Sequence, residues 1–364
     1  MESNLRIIVL EPYYGGSHRA FLEGLAATLP FSFDFHTLPA RSWKWRMRLA
    51  APYYAEMFKK AGPAGFRQPC RLLCSSYVDV AAFKALAPAW LKDVPIHTYF
   101  HENQFAYPVR IEDERDYHYA LTNLTTALAS DHIAFNSRYN LESFLAGSRE
   151  LLKKNHDIPL VDYADEIIAR ADILPPGIDF GEIDAAAGAG GHEVPVIVWN
   201  HRWEHDKNPE MFFEALFELT RQGIPFGVII LGQSFSVKPD IFEKARRFLR
   251  EEIVHFGYAP SREAYLSWLK QGDLVVSTAR HEFYGISVIE AVRAGCRPLL
   301  PGRLSYPEIF PDQFLYEDHE FSERLRDALS KGRLERGESR DLTGRFSWRQ
   351  LADRYRQWLV GMTG

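Results

Sequence analysis

Residues 194–209 read V-P-V-I-V-W-N-H-R-W-E-H-D-K-N-P, and this stretch indicates the fold. A short apolar run ends in a polar loop, and an apolar-periodic segment follows over residues 209–222. That order predicts a strand, a loop and a helix, with Pro209 in the first helical turn. A strand followed by a helix is the repeating unit of α/β folds.

The same unit recurs along the chain. Further short apolar runs that predict strands lie at residues 5–10, 96–100, 132–135, 226–231, 253–256, 274–277 and 298–300. Amphipathic patterns that predict helices separate them, including a last one through Leu351, Tyr355, Trp358 and Leu359. Strands that alternate with helices predict parallel sheets with helices on both faces, as in doubly wound α/β domains.

The domain organisation follows from length and from one change of pattern. The chain has 364 residues, and a domain usually takes about 100–200, so we expect two domains. P-P-G-I-D-F and A-A-A-G-A-G-G within residues 172–191 predict a linker. We predict a first domain at 1–178, a linker at 179–193, a second domain at 194–346, and a C-terminal helix, 347–364, that returns to the first domain. Ligands of such sheets bind beyond the carboxyl ends of the strands, so we expect a site in a cleft between two Rossmann-like domains.

The composition excludes several classes of protein. A chain that is 46% hydrophobic and 25% charged is typical of globular proteins, not of disordered or membrane ones. The net charge is −5, so contact with a nucleic acid requires a local basic patch. Cys70, Cys74 and Cys296 are too few for a disulfide framework and predict reduced thiols in a cytoplasmic protein. We expect no signal peptide and no membrane span.

Two cations follow the strand predicted at residues 194–199. Arg202 and Lys207 precede the helix that begins near Pro209, where unpaired backbone amides favour an anion. An arginine fork and a lysine point charge together suit a diphosphate. The alternative is that both cations form surface ion pairs with Glu204 and Asp206.

A second loop carries two carboxylates. Residues 281–290 read H-E-F-Y-G-I-S-V-I-E, which places Glu282 in the loop and Glu290 in the first turns of the following helix. Carboxylates accept hydrogen bonds from the paired hydroxyls of a ribose or a hexose, and Gly285 lets the backbone approach closely. The alternative for Glu290 is a carboxylate that only stabilises the helix N-terminus.

Two further loops follow strands of the first domain. In Y-Y-G-G-S-H, residues 13–18, Gly15 and Gly16 allow main-chain amides to approach a phosphate or sugar, although the pattern is not a dinucleotide or P-loop motif. His101 follows another strand and can bind sugar hydroxyls or stabilise developing charge, although a lone histidine is more often structural. The chain contains no Asp-x-Asp motif and no zinc-ligand spacing, so we expect no metal.

Residues 41–71 are rich in basic and aromatic side chains. The basic ones are Arg41, Lys44, Arg46, Arg48, Lys59, Lys60, Arg67 and Arg71, and the one acid is Glu56. The aromatic ones are Trp43, Trp45, Tyr53, Tyr54, Phe58 and Phe66. Cations for phosphates and rings for unstacked bases predict a surface for single-stranded RNA. The alternative is a solvated helix face whose aromatic residues belong to the core.

Several longer strings carry a resemblance to a known family. They are Y-G-G-S-H, W-K-W-R, Y-F-H-E-N-Q, F-N-S-x-x-N-x-E-S-F, H-R-W-E-H-D-K-x-P, H-E-F-Y-G and S-Y-P-E-I-F-P. Together with the Arg-x4-Lys loop, E-x7-E and P-P-G-I-D, they extend over almost the whole chain. The chain resembles the tRNA-queuosine α-mannosyltransferase family, whose members are retaining glycosyltransferases of the GT-B fold.

This resemblance implies transfer of mannose from GDP-mannose to queuosine in a tRNA anticodon loop, with retention of configuration. It implies that Arg202 and Lys207 hold the diphosphate and that Glu290 binds the ribose. It also implies that Glu282 binds the hexose, with His101 beside its reacting face. The other implied donor contacts are Gly15, Gly16, Asn136, Phe283, Tyr284 and Gly285. The implied contacts to tRNA are Trp43, Lys44, Trp45, Arg46 and Arg48, together with His18, which could instead face the donor.

Two other functions are compatible with the residues taken alone. One is a GT-B glycosyltransferase with another sugar donor or with a lipid or polysaccharide acceptor. The other is an RNA-binding module without catalytic activity. The resemblance implies no cofactor besides the sugar nucleotide, no membrane and no obligate protein partner.

Overall fold

A computed structural model describes residues 5–63, 70–109, 116–154, 162–186, 193–234 and 239–361. Phe66 and Arg67 of the predicted RNA surface lie outside these described residues, as do residues 187–192 of the predicted linker. The described chain divides into two compact units. The first unit takes its residues from 1–178 and 348–364, and the second takes its residues from 179–347.

Strands and helices alternate along both units. The strands are β1 (Arg6–Tyr14), β2 (Ser32–Pro39), β3 (Cys70–Ser75), β4 (Ile96–Phe100), β5 (His132–Phe135), β6 (Ala171–Ile173), β7 (Val196–Asn200), β8 (Gly227–Leu231), β9 (Ile253–Gly257), β10 (Leu274–Val276), β11 (Arg297–Pro301) and β12 (Leu315–Tyr316). The helices are α1 (Gly16–Thr28), α2 (Trp43–Ala61), α3 (Val80–Leu86), α4 (Tyr117–Ala129), α5 (Arg138–Lys153), α6 (Ala164–Ile168), α7 (Gly181–Ala185), α8 (Pro209–Arg221), α9 (Ile241–Phe248), α10 (Arg262–Gln271), α11 (Ile286–Ala294), α12 (Tyr306–Ile309), α13 (Phe321–Lys331), α14 (Arg336–Thr343) and α15 (Trp348–Val360).

Each unit is built on one parallel sheet. In the first unit the strand order is β2-β1-β3-β4-β5-β6, and in the second it is β12-β11-β10-β7-β8-β9. The paired strands run parallel, so their carboxyl ends lie along a single edge of each sheet. The loops that follow β1 and β4 therefore lie at the same edge of the first sheet, on either side of β3, and those that follow β7 and β10 are direct neighbours in the second.

Strand β1 shows why the first sheet is covered on both faces. Successive side chains of a strand point to opposite faces, so Ile7 and Val9 join the core formed with α1 and α15. Ile8 and Leu10 join the core formed with α2 and α3 on the other face. Burial on both faces explains the continuous apolar run at the start of the chain.

The C-terminal helix α15 belongs to the core of the first unit. Trp348, Leu351, Tyr355, Trp358 and Leu359 are buried in one cluster with side chains of α1. The Tyr355 hydroxyl also donates to the backbone oxygen of Pro175 at 2.9 Å. This is the helix whose apolar spacing was visible in the sequence.

The second unit has a large aromatic core beside β7. Phe212, Phe213, Leu216 and Phe217 of α8 pack in one cluster with Trp199. This packing anchors the beginning of α8 against the sheet. It thereby holds the loop between β7 and α8 at the carboxyl edge.

Several differences separate the predicted and the observed elements. The predicted bounds of β4 and β5 agree with the structure, whereas β1 continues beyond residue 10 to Tyr14. The edge strands β2, β6 and β12 and the inner strand β3 were not predicted, because they lack a long uninterrupted apolar run. Helix α7 lies within the stretch predicted to be a linker, and its Asp184 pairs with Arg293 of α11 at 2.6 Å. Within the described ranges, every helix is too short or too polar to span a lipid bilayer.

Candidate active site

The first unit buries a histidine between two carboxylates. Glu11 lies near the end of β1, and its Oε2 is 3.0 Å from Nδ1 of His18 in α1. On the other side of the ring, Nε2 of His18 is 3.6 Å from Oε2 of Glu102, which follows β4. His18 and Glu11 are both buried. Both ring nitrogens therefore face carboxylates of the same unit.

The two carboxylates keep this histidine charged. Burial alone would lower the pKa of His18, but the charges of Glu11 and Glu102 outweigh it and raise the pKa to about 10. His101 lies beside it, and burial together with the positive charge of His18 holds the pKa of His101 well below its usual range. At neutral pH the first histidine is an imidazolium and the second a neutral imidazole.

The charged histidine sits in a stack of rings. Its ring centroid is 4.0 Å from that of His101 and 5.3 Å from that of Tyr77. Phe21 and Tyr99 contact His101 edge-on, at centroid distances of 5.0 Å and 4.6 Å. These contacts hold His101, the predicted catalytic histidine, in one orientation.

The backbone after β4 is held by a network of asparagine side chains. Asn136 follows β5, and its Nδ2 donates to the backbone oxygen of His101 at 2.6 Å. Its Oδ1 accepts from Nδ2 of Asn140 at 2.8 Å. Asn140 in turn accepts from Nδ2 of Asn103 at 2.8 Å. The structure thus places the predicted donor contact Asn136 where its amide fixes the loop that carries His101.

The Gly-Gly turn begins α1. Gly15 is extended, and a Cβ built there would lie 2.5 Å from Cβ of Ala40, so the position requires glycine. Gly16 has φ +51°, in the left-handed region that favours glycine, and open space lies around its Cα.

The second unit buries a lysine between two carboxylates. Nζ of Lys207 is 3.2 Å from Oδ2 of Asp206 and 3.2 Å from Oε2 of Glu282. The same ammonium donates to the backbone oxygen of His281 at 2.6 Å. Thr278, which follows β10, donates from its hydroxyl to the backbone oxygen of Lys207 at 2.9 Å. The loops after β7 and β10 are joined at this point, as the parallel sheet requires.

The charges of this cluster reinforce one another. Burial would raise the pKa of Glu282, but the Lys207 ammonium outweighs it, with help from the two neighbouring histidines, and lowers the pKa to about 2. Burial and the same ammonium lower the pKa values of His201 and His281 to about 4. Burial would lower the pKa of Lys207, but Glu282 and Asp206 raise it above its usual range. At neutral pH the lysine and Glu282 are charged and both histidines are neutral.

Arg202 lies at the surface near this cluster. Its Nη1 is 2.9 Å from Oε2 of Glu204, and about half of its side chain is exposed. This is the surface ion pair that the sequence left open as an alternative for Arg202. For Lys207 the structure shows a buried cluster instead, in which Asp206 is one of two carboxylate partners.

The second carboxylate of E-x7-E has a partner of its own. Oε1 of Glu290, which is buried in α11, accepts from Nη2 of Arg262 at 2.6 Å. Asn200, at the end of β7, donates from Nδ2 to the hydroxyl of Tyr265 at 3.1 Å and to the backbone oxygen of Ser287 at 2.7 Å. These bonds tie the start of α11 to the end of β7. Glu282 and Glu290 accordingly have different partners and different surroundings.

The loop between the two glutamates is held tightly. Gly285 has φ +95° and precedes α11, and a Cβ there would lie 3.2 Å from Cε1 of Tyr306. Phe283 and Tyr284 are both buried. Ser305 donates from its hydroxyl to the backbone oxygen of Tyr284 at 3.1 Å. Packing and this hydrogen bond therefore hold the turn that carries Glu282 in place.

Helix α2 divides the predicted RNA surface into two sets. Tyr54 and Phe58 are buried in the core of the first unit. Trp45, Leu49 and Tyr53 follow one another every four residues, and their exposed fractions are 64%, 52% and 51%. The alternative of core aromatics is thus correct for one set of side chains, whereas the other set faces solvent.

The predicted basic contacts lie around this exposed face. Lys44 and Arg48 are exposed, and Arg46 is half-buried. Trp43 is half-buried, with its ring 5.2 Å from that of Tyr119. The guanidinium of Arg48 lies over the same tyrosine and pairs with Asp116 at 3.0 Å. Of the other cations, Lys59 and Lys60 are exposed at the far end of the helix.

Each unit therefore brings together some of the predicted residues. In the first unit His18 lies against His101, and in the second Lys207 lies against Glu282. The contact of His18 with tRNA lacks support, because both of its ring nitrogens face carboxylates. The partners that sequence reasoning missed are Glu11, Tyr77, Glu102, His201 and Arg262. The signal at Glu11 was a carboxylate that ends an apolar strand, which is costly to bury without a partner.

Comparisons with known proteins relate both units to glycosyltransferases. Residues 6–178 match the family profile described as tRNA-queuosine alpha-mannosyltransferase N-terminal. Residues 184–341 match the profile described as glycosyl transferases group 1. A tRNA-queuosine alpha-mannosyltransferase of Drosophila melanogaster is 34% identical over 319 residues, which cover 85% of this chain and 83% of that protein. A GDP-mannose:cellobiosyl-diphosphopolyprenol alpha-mannosyltransferase of Xanthomonas oryzae is 25% identical over 163 residues, covering 43% of this chain and 41% of that one.

Solved structures resemble the chain over nearly its full length. HepE of Anabaena, in complex with UDP, has a TM-score of 0.67 at 12% identity and covers 98% of this chain and 99% of its own. Sucrose-phosphate synthase of Thermosynechococcus elongatus has a TM-score of 0.66 at 16% identity, with 98% and 99% covered. At these identities the likeness concerns the fold alone, and it confirms the predicted GT-B class of α/β fold.

Proposed function

Because this chain belongs to the tRNA-queuosine alpha-mannosyltransferase family, its reaction is the mannosylation of queuosine in tRNA, and we propose that GDP-mannose is the donor. The predicted enzyme class, a retaining glycosyltransferase, is confirmed by the same matches. The two clusters described above support the roles proposed below for individual residues. The cluster of Lys207 and Glu282 carries the proposal.

The leaving group of this reaction needs positive charge. Breaking the bond between mannose and the diphosphate develops negative charge on the departing oxygen, and cations fixed in advance stabilise it most. Arg202 is about half-exposed and pairs with Glu204 at the surface, so its fork can turn to a phosphate. Lys207 is already in place, and its ammonium can exchange one carboxylate for a phosphate oxygen. We assign the diphosphate to these two residues.

The hexose is assigned to Glu282 and its loop. The carboxylate is ionised, with a pKa of about 2, so it can accept hydrogen bonds from sugar hydroxyls but cannot donate one. Its position is fixed by Lys207 at 3.2 Å, and the turn through Phe283, Tyr284 and Gly285 is rigid. A carboxylate fixed before binding loses little entropy when a hydroxyl arrives.

The ribose is assigned to Glu290. A carboxylate offers several acceptor sites, and Arg262 occupies one oxygen at 2.6 Å. The remaining acceptor capacity suits a neighbouring pair of hydroxyls such as those of a ribose. Arg262 then acts by fixing the rotamer of Glu290.

The first unit is assigned to the reacting face of the sugar and to the acceptor. His101 is a neutral imidazole, which can accept a hydrogen bond from a sugar hydroxyl at one nitrogen. Gly15 and Gly16 expose backbone amides at the start of α1 that suit a phosphate or sugar oxygen. Asn136 acts on the donor through the loop of His101.

The anticodon loop is assigned to the exposed face of α2. Trp45 presents an exposed ring for stacking with an unpaired base, and Lys44 and Arg46 supply positive charge beside it. Trp43 and Arg48 border this face. The three cysteines are free thiols, in keeping with our proposal of a cytoplasmic enzyme acting on tRNA.

The proposal is tested by product analysis. The protein is incubated with GDP-mannose and tRNA that contains queuosine, and the digested nucleosides are analysed by mass spectrometry. We expect a nucleoside heavier than queuosine by one hexose residue, and the loss of this product with the Glu282→Gln variant. UDP-glucose and tRNA that lacks queuosine serve as matched controls. A hexose on the control tRNA, or mannose recovered only in a lipid or polysaccharide fraction, would contradict the assignment.

A further inference from the structure

The charged histidine of the first unit has no role in the reaction as assigned so far. His18 lies at the carboxyl edge of the sheet and stacks on His101 at 4.0 Å with an interplanar angle of 29°. We propose that His18, held between Glu11 and Glu102, is a positioning residue that orients the ring of His101 and keeps it uncharged. This inference rests on the proposed function, because it takes His101 to face the donor sugar.

The geometry leaves His18 one way to act. Its ring nitrogens point at Glu11 and Glu102, at 3.0 Å and 3.6 Å, so they cannot also bind a substrate. What the ring still offers is its two faces, one against Tyr77 and the other against His101. The two carboxylates therefore set the plane of His18, and that plane sets the plane of His101.

The charge acts in the same direction. Burial makes protonation of His101 unfavourable, and the positive charge of the His18 ring, whose centroid is 4.0 Å away, adds to this effect. Among the described residues, the other rings that contact His101 are those of Phe21 and Tyr99, of which only Tyr99 can ionise. Burial raises the pKa of Tyr99 well above its usual range, so it stays neutral. Besides burial, the imidazolium of His18 is the charge that disfavours protonation of His101.

A neutral His101 is the form that the reaction requires. A neutral imidazole has one nitrogen that accepts a hydrogen bond and one that donates, whereas an imidazolium can only donate. Next to a sugar whose anomeric carbon becomes positive, an added positive charge would also be unfavourable. Keeping the ring neutral below the usual pKa of histidine therefore widens the pH range of activity.

A second pair of histidines in the same sheet shows what stacking alone looks like. His97 near the start of β4 stacks on His132 at the start of β5, at a centroid distance of 4.5 Å and an angle of 13°. Among the described residues, the ring nitrogens of His97 have no hydrogen-bond partner. Packing of two imidazoles thus needs no carboxylates. Burying two carboxylates around His18 is costly unless the charge of this histidine has a use.

The first test compares pH profiles of kcat/KM for mannosyl transfer. The His18→Gln variant keeps an amide that can bond to the carboxylates but removes the positive charge. The pKa of His101 then rises, so the acid limb of the profile moves to higher pH. Between the plateau of the profile and pH 6, kcat/KM of the variant therefore falls by about tenfold more than that of the wild type. The His132→Gln variant, which alters the other stacked pair, should keep the wild-type profile. An unchanged acid limb in His18→Gln would overturn the proposal.

The second test observes the two rings directly, without substrate. Nitrogen-15 NMR spectra of the free protein should show His18 protonated on both nitrogens at pH 7.5 and His101 on one. Replacing Glu11 by Gln keeps the shape of the site and should lower the pH at which His18 loses its proton. A neutral His18 at pH 7.5, or an unchanged titration in Glu11→Gln, overturns the inference even if His18→Gln fails to fold. If the wild-type protein transferred no mannose to tRNA, the proposed function would be overturned instead. The NMR spectra do not depend on that function.

Discussion

Both units bury a cation between two carboxylates at the carboxyl edge of a parallel sheet, but they use different cations. The two triads are Glu11, His18 and Glu102 in the first unit and Asp206, Lys207 and Glu282 in the second. An imidazolium donates in two fixed directions in the plane of its ring, whereas an ammonium donates three bonds that rotate freely about the end of a flexible chain. The same arrangement of charge can therefore serve two purposes.

The difference decides which triad suits a charged ligand. Lys207 shares its protons among Asp206, Glu282 and the backbone oxygen of His281, and it can exchange one of them for a phosphate without rotating out of place. His18 cannot exchange a carboxylate without turning its ring and losing the stack on His101. The second triad is suited to binding, and the first to positioning. Four predictions test this contrast.

The largest effect is expected on breaking the second triad. The Lys207→Met variant leaves Asp206 and Glu282 buried without their cation, which should cost about 3–5 kcal/mol of the free energy of unfolding and abolish transfer. Urea denaturation and the nucleoside assay measure the two effects. Lys244→Met is the matched control, because Lys244 pairs with Glu214 at the surface and such pairs contribute about 0–1 kcal/mol. Equal losses of stability and of transfer in Lys207→Met and Lys244→Met would show that burial of the triad contributes to neither.

Arg202 tests whether charge in the second unit acts on the leaving group. The Arg202→Ala variant should lower kcat/KM by about 10²–10³, the range for losing one preorganised electrostatic group, with little change in stability. Steady-state kinetics with GDP-mannose measure this change. Arg221→Ala is the control, since Arg221 forms an exposed pair with Glu218. Wild-type turnover in Arg202→Ala would refute its assignment to the diphosphate.

The surface of α2 tests whether the acceptor role lies in the first unit. Reversing the charges of Lys44 and Arg46 to Glu should weaken tRNA binding by about tenfold. The salt dependence of binding should decrease by the amount expected for the loss of about two phosphate contacts. Hydrolysis of the donor should stay at the wild-type rate. Lys331→Glu, an exposed change in the second unit, is the control for net charge. Parallel losses of tRNA binding and donor hydrolysis would indicate misfolding or a donor role instead.

The smallest effect is expected in the pH dependence of stability, to which each triad contributes at one end of the pH range. The pKa of His18 is raised from 6.5 to about 10, so its contribution is complete below pH 6.5 and is lost as the pH rises through 10. The pKa of Glu282 is lowered from 4.5 to about 2, so its contribution is complete above pH 4.5 and is lost as the pH falls through 2. Melting temperatures between pH 2 and pH 10 should fall at both ends. His18→Gln should flatten only the alkaline slope and Glu282→Gln only the acid one.

Much of the fold was predictable because its signals are local. An apolar run such as β4 or β5 is set by neighbouring residues, and the polar loop that follows it marks the carboxyl end of the strand. His101, Lys207 and Glu282 were recognised because each follows such a run. Strand β2 was missed because an edge strand needs few apolar residues, and α7 was missed because its five residues lie in a Gly- and Ala-rich stretch.

The partners of these residues were less predictable. Glu11 and Glu102 lie 91 positions apart in the sequence yet approach the same histidine. Arg262 reaches Glu290 from a different helix. On α2, Trp45 and Tyr54 read alike as aromatic residues in a basic segment, but one is exposed and the other buried.

The amino-acid sequence by itself determined that the chain forms parallel α/β sheets and which loops carry charged groups, because periodicity and strand ends are properties of neighbouring residues. The tertiary structure alone decided which of those charges meet and which of them stay ionised. A buried carboxylate, lysine or histidine takes its protonation state from partners brought to it by the folding of distant strands, and those partners lie at no fixed spacing along the chain.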